Sequence, residues 1–180
     1  MKMFAVVTVL VILAQPSNAG GPDVAGTYEI QICRPACDSD ATANLLVRGL
    51  VVLESKEFSP SDIPESERRV FEYGYGYDAL PNGCFVLETI QREHTYAGID
   101  AIGFTRWVVT PQGVRLDLYS SPDAGYRAKV QVTEAGFTGQ GISWGAGVAA
   151  PSWGPDYVTG RRTGLPDRSK CIEAARKAKH

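Results

Sequence analysis

Along most of this chain apolar and polar side chains alternate one by one, the period of a β-strand with one face against a core. Thr27 to Cys33 places Tyr28, Ile30 and Ile32 on one side and Thr27, Glu29 and Gln31 on the other. Val114, Leu116 and Leu118 alternate with Arg115, Asp117 and Tyr119, the first set facing in and the second facing out. Tyr126, Ala128, Val130 and Val132 oppose Arg127, Lys129 and Gln131 in the same way. Leu45 to Leu53 is almost continuously apolar, which predicts a strand covered on both faces. Cys84 to Ile90, Ile102 to Thr110, Phe137 to Trp144 and Tyr157 to Arg162 read as further strands. Another candidate is Phe71, Tyr73, Tyr75 and Tyr77, with Gly74 and Gly76 on its bare opposite face, where a second backbone can approach.

Turn chemistry separates these runs. Pro81-Asn82-Gly83, Pro111-Gln112-Gly113, Ser121-Pro122-Asp123 and Glu134-Ala135-Gly136 each stand between two strands, and Ser59 to Arg69 is a polar loop holding Pro60 and Pro64. Helical spacing appears only at the end. There Pro166-Asp167 opens a short helix, with Asp167 or Ser169 as its cap and Ile172, Ala175 and Ala178 along one side. The expected fold is all-β, an antiparallel meander of eight or nine strands. Such a sheet hides its edges by closing into a barrel or by stacking as a sandwich. The tight hairpins after residue 100 favour an up-and-down barrel, with a two-sheet sandwich as the alternative. The barrel domain is expected over residues 20–167, and residues 168–180 form a C-terminal helix and basic tail.

The first residues do not belong to this pattern. Lys2 precedes an apolar run from Met3 to Ala14 broken only by Thr8, Gln15-Pro16 ends it, and Ser17-Asn18-Ala19 supplies small residues at a cleavage site. This is the layout of a secretory signal over residues 1–19. The run would rise only ~18 Å as a helix, short of a hydrocarbon core of ~30 Å, so no membrane span is expected after cleavage. The expected destination is the periplasm or the medium.

Charge and cysteines refine the class. The chain has 18 basic and 20 acidic side chains. Arg168, Lys170, Arg176, Lys177 and Lys179 cluster at the end against Glu173, which leaves the body distinctly acidic. An acidic body argues against a nucleic-acid partner, and the terminal cations complement a helix dipole. Cys33, Cys37, Cys84 and Cys171 read as two disulfides in an oxidising compartment. Of the three pairings, Cys33–Cys37 is favoured because Arg34-Pro35-Ala36 can turn the chain back. Cys84–Cys171 would then pin the C-terminal segment to the body. A metal site would want more ligands than His94 and His180 provide, so neither metal nor cofactor is expected.

Gly26-Thr27-Tyr28 on the first strand and Arg161-Arg162 on the last resemble the end signature of the calycins, the lipocalin-like barrels. In that signature an aromatic ring near the start of the first strand packs beneath a basic side chain from the last; tyrosine stands here in place of tryptophan. Over most of its length the chain is also similar to a set of uncharacterised exported proteins of Gram-negative bacteria. That similarity runs through the G-T-Y and C-x-x-x-C segments and the S-P-D-A-G-Y turn at 121–126. It continues in S-W-G-A-G-V-A at 143–149 and G-R-R-x-G-x-P-D at 160–167. It implies export and no particular activity.

Several constellations could carry chemistry. Gly141-Ile142-Ser143-Trp144-Gly145 fits G-x-S-x-G, yet a loop of Gly145, Gly147 and Pro151 follows the serine where a nucleophile elbow needs a helix. Ser-Trp-Gly occurs at 143–145 and again at 152–154, so Trp144 and Trp153 could cap a cavity, stack on a sugar ring or plug the barrel. Tyr73 and Tyr75 offer an aromatic face for a pocket or for packing. His94 near Asp100 is a loop histidine or half of an acid–base pair, and Asp38-Ser39-Asp40 is a polar turn. Arg106 shares a face with Ile102, Phe104 and Val108, and if buried it needs a carboxylate partner.

The function expected from these features is non-enzymatic: an exported lipocalin-like module binding a small apolar or sugar-like ligand through Tyr73, Tyr75, Trp107, Trp144 and Trp153. The alternative is a protein-binding module, such as an inhibitor of a secreted hydrolase acting through the 145–155 loop. A hydrolase using Ser143 or His94 is a third reading. Ligand binding predicts a cavity lined by the aromatics; protein binding predicts a filled interior.

Overall fold

The computed structural model describes residues 23–37, 44–63, 65, 80–90, 102–121, 124–145, 155–171 and 173. Among these are eight strands: β1 (Gly26–Cys33), β2 (Leu45–Leu53), β3 (Gly83–Thr89), β4 (Ile102–Thr110), β5 (Gly113–Ser121), β6 (Ala124–Thr133), β7 (Gly136–Gly145) and β8 (Asp156–Gly164). Each pairs antiparallel with the next, and β8 returns to β1, with Ile30 opposite Gly160 and Ile32 opposite Val158. That last seam makes the sheet a closed up-and-down barrel and not a two-sheet sandwich. β2 and β4 have the bounds that the apolar pattern predicts. The signal segment and the Phe71–Tyr77 run lie outside the described residues.

Alternation along each strand sends one set of side chains inward, where they form one contiguous core. Tyr28, Ile30 and Ile32 of β1 meet Val47, Val51 and Leu53 of β2 and Phe85 and Leu87 of β3. Leu116, Leu118, Tyr126, Val130, Phe137 and Val158 complete the ring. Eight strands leave an interior just wide enough for side chains to fill. The four inward aromatics fit because glycines floor the wall beside them: a methyl at Gly103 would meet the Phe85 ring at 2.6 Å, and one at Gly141 the Tyr126 ring.

Two hairpins repeat one local device. Thr110 and Thr133 end their strands and donate their hydroxyls to the carbonyls of Gly113 at 3.1 Å and Gly136 at 3.2 Å. The two glycines have φ of 124° and 152°, the region that L side chains avoid, so each two-residue turn closes on the residue type it requires.

β2 is covered on its outer side as well, as its sequence predicts. Leu50, Val52, Cys84, Val86 and Phe104 form a second apolar cluster outside the barrel, and Cys171 seals it. Both disulfides join the favoured partners, Cys33 to Cys37 and Cys84 to Cys171. The second holds a C-terminal helical turn (169–171 and 173) against the wall. Asp167 caps it, accepting the Ser169 amide at 3.2 Å. Arg168 stacks on the Phe58 ring at 4.0 Å, and Phe58 meets Phe104 edge-on.

Candidate functional site

The barrel interior is occupied by the chain itself. Trp107, on β4 three residues before the β4–β5 turn, packs on the core from one end and is locked on all its polar atoms. Its indole N–H donates to the Glu54 carbonyl at 3.0 Å. Its backbone N–H donates to Asn82 Oδ1 at 2.9 Å, and Asn82 Nδ2 donates to its carbonyl at 3.0 Å. The asparagine side chain thus extends the strand ladder past the end of β3, and the indole acts as a plug.

Of the aromatics expected to share a pocket, the Trp107 side chain is the one among the described residues. One row of backbone partners runs Phe104, Tyr119, Gly125, Trp144, so Trp107 sits three residues, ~10 Å, along the wall from the Trp144 row. The Trp144 side chain, and Tyr73, Tyr75 and Trp153 altogether, lie outside the described residues, as do His94, His180 and Asp38-Ser39-Asp40. Ser143 is inside β7, opposite Tyr126, and 3% exposed. A nucleophile elbow would hold that hydroxyl out on a turn.

The charged residues on the outer wall form built pairs. Arg106 meets Glu57 at 2.5 Å and the Leu80 carbonyl, so the carboxylate its burial requires comes from the β2–β3 connection. Asp117 faces outward as the alternation predicts, yet it is fully buried there: Arg115 Nε lies 3.0 Å away and Arg127 pairs with its other oxygen. Asp156, also fully buried, accepts from Arg34 Nε at 2.7 Å, which ties the Cys33–Cys37 loop to the start of β8.

Where β8 meets the start of β1, Arg162 lies over the Tyr28 ring, 5.9 Å from its centroid, and bonds Asp23 at 2.9 Å and the Ala25 carbonyl. The Tyr28 hydroxyl donates to the Val24 carbonyl at 2.8 Å. Burial pushes the Tyr28 phenol above its ordinary value, the Arg162 charge opposes that, and Asp23 adds to it.

Among the described residues three grooves lie on the outer wall of the barrel. One groove of about 370 Å³ is lined by Glu29, Gln31, Thr138, Thr159, Arg161 and the β6–β7 turn. A second, of about 400 Å³, continues from the same Thr138 and Thr159 to Gln140, Tyr157 and the Cys37 loop. A third, of about 530 Å³, lies across the Glu29–Gln31 ridge, between Arg48, Leu50, Val86, Glu88 and Lys170. The outward sets of β7, β8, β1, β2 and β3 therefore form one grooved face. Sequence reading recognised Gln31 and Glu29 as outward and assigned no role to Thr138, Gln140, Tyr157 or Thr159. The available signal was the outward half of each alternation; which of those residues become neighbours depends on strand register.

Among the described residues no group of three or more His, Cys, Asp and Glu could hold a metal, and no helix is long and apolar enough to cross a membrane. No protein-family model, curated protein or solved structure matches the chain.

Proposed function

We propose that this chain is an exported, non-enzymatic binding module that engages its ligand on the outer wall of the barrel. The observation that carries this reading is the contrast between a lumen filled by Tyr28, Phe85, Tyr126 and Phe137 and a wall grooved from β7 to β3. Two disulfides support export, since such bonds persist in oxidising compartments. The contact of Tyr28 with Arg162 supports the lipocalin-like reading of the two chain ends. Burial of Ser143 within a strand supports a role without catalysis.

Apolar probes separate carriage in the lumen from binding at the surface. The folded protein is expected to leave a fluorescent fatty acid such as cis-parinaric acid unbound; saturable one-to-one uptake would overturn the reading. Hydrolysis of ester and glycoside substrates is expected to stay at the buffer rate. Turnover that Ser143→Ala abolishes in a folded variant would restore the enzyme reading.

Ile142 and Tyr157, 44% and 41% exposed at the β7–β8 end of the wall, favour a second reading. There the partner is a secreted protein, such as a hydrolase to be inhibited, met by this apolar pair and the 145–155 connection.

A further inference from the structure

We infer that the trough between β1, β8 and β7 is a binding site for a short uncharged oligosaccharide, an inference that rests on the surface-binding reading above. The trough is made by register. Gln31 of β1, Thr159 of β8, Thr138 of β7 and Gln131 of β6 stand opposite one another in a single row. The two short threonines between longer side chains leave the floor low, and both grooves on this face share them.

The threonines of this floor differ from the others. Thr27, Thr105, Thr110, Thr133 and Thr163 each donate their hydroxyl to a backbone carbonyl. Among the described residues Thr138 and Thr159 make no side-chain hydrogen bond, and neither do Gln31, Gln140 or Tyr157. These hydroxyls and amides can both donate and accept, which matches the dual character of sugar hydroxyls. At one end Tyr157 presents a ring 41% exposed beside the Cys33–Cys37 loop, the kind of surface on which the C–H face of a pyranose stacks. From Tyr157 to Arg161 the trough runs ~13 Å along β8, room for two or three sugar units.

Charge sets the ligand class. Glu29 and Arg161 face each other across the seam as an ion pair, so the lining carries no net charge. Lys129 stands one strand beyond Gln140 and outside the lining. A polyanion would find no cation cluster in this trough. A peptide could not add as a strand in this trough, because β1, β8 and β7 are each paired on both sides there.

The test is amide NMR shift mapping and calorimetric titration of the whole folded chain with maltotriose, cellotriose and triacetylchitotriose. At least one is expected to move the amides around Gln31, Thr138, Tyr157 and Thr159. Tyr157→Val is expected to weaken it about tenfold, which is about 1.4 kcal/mol, within the range that a stacked ring contributes. The isosteric Thr138→Val and Thr159→Val, compatible with exposed strand positions, are each expected to weaken it by about threefold. Silence from all three sugars at millimolar concentration, shifts confined to another face, or affinity unchanged by the variants would overturn the inference. A protein partner captured through Ile142 and untouched by the threonine variants would overturn it while leaving surface binding standing. Uptake of the fatty acid into the lumen would remove both.

Discussion

A methyl group added at Gly141 would stand 2.5 Å from the Tyr126 hydroxyl oxygen, and one at Gly160 would enter the Phe137 ring. At Gly164 it would meet nothing within 4 Å. Gly141→Ala and Gly160→Ala are therefore expected to lower unfolding free energy by about 1–3 kcal/mol, the usual cost of overpacking, while Gly164→Ala stays within about 0.5 kcal/mol. Denaturant midpoints separate the two outcomes, and equal effects at all three positions would refute the ring-on-glycine packing. Tyr28 carries a pH prediction. Its phenol is held above the ordinary 10.0, mainly by burial, so the folded protein keeps this proton after the unfolded chain has lost it. Its contribution is whole below pH 10 and is lost as pH rises toward the folded value. Tyr28→Phe should cost about 1 kcal/mol at neutral pH through the lost bond to Val24. That deficit should hold up to about pH 10 and narrow on denaturation curves taken above it, and a constant gap would contradict the shift. Of the inward rings, Tyr28 and Tyr126 were legible in the alternation. The glycine partners of the inward rings were not, because Phe137 and Gly160 meet only through the β7–β8 register.

At the scale of elements, the C-terminal turn shows what a single covalent link decides. Eight strands bury their inner faces by closure alone, but the outer side of β2, β3 and β4 would leave Leu50, Val52, Val86 and Phe104 facing water. Cys171 brings a helical turn of marginal intrinsic stability onto this patch, and Arg168 reinforces it by stacking on Phe58 and pairing with Asp62 at 3.2 Å. Replacing Cys84 and Cys171 together by serine is expected to cost about 4 kcal/mol in the chain-entropy account, with release of the turn. Thermal unfolding reads the loss, and an apolar dye on the still-folded variant reads the uncovered patch. A variant as stable as the parent, with no dye response, would mean that the turn is held by packing alone. The almost continuously apolar run from Leu45 to Leu53 announced a covered outer face. What covers it came from the cysteine count and from how readily Arg34-Pro35-Ala36 turns the chain.

Among the described residues the barrel is closed, and β1 and β8 pair over as many residues as β5 and β6 do. Native-state hydrogen exchange is therefore expected to give the β1–β8 amides the same opening free energy as those between β5 and β6. Markedly faster exchange at β1–β8 would mean that the barrel opens there. Closure also explains the partial legibility of the candidate site. Trp107 was expected to contact a ligand, and the structure commits its indole N–H to the Glu54 carbonyl. Gln31, Thr138 and Thr159 look ordinary in the chain and become neighbours only when the first and last strands meet.

Strand parity, turn positions and a terminal cap at Asp167 or Ser169 were determined by the sequence, because each depends on side chains a few residues apart; the four cysteines favoured one of three pairings, and the fold fixed it by bringing Cys84 to Cys171. The choice of barrel over sandwich, the filled lumen, the burial of Asp117 and the grouping of outward side chains into a trough were decided by tertiary structure. Those features depend on register between strands distant in the chain, and register is settled by how the whole core packs, not by any local pattern.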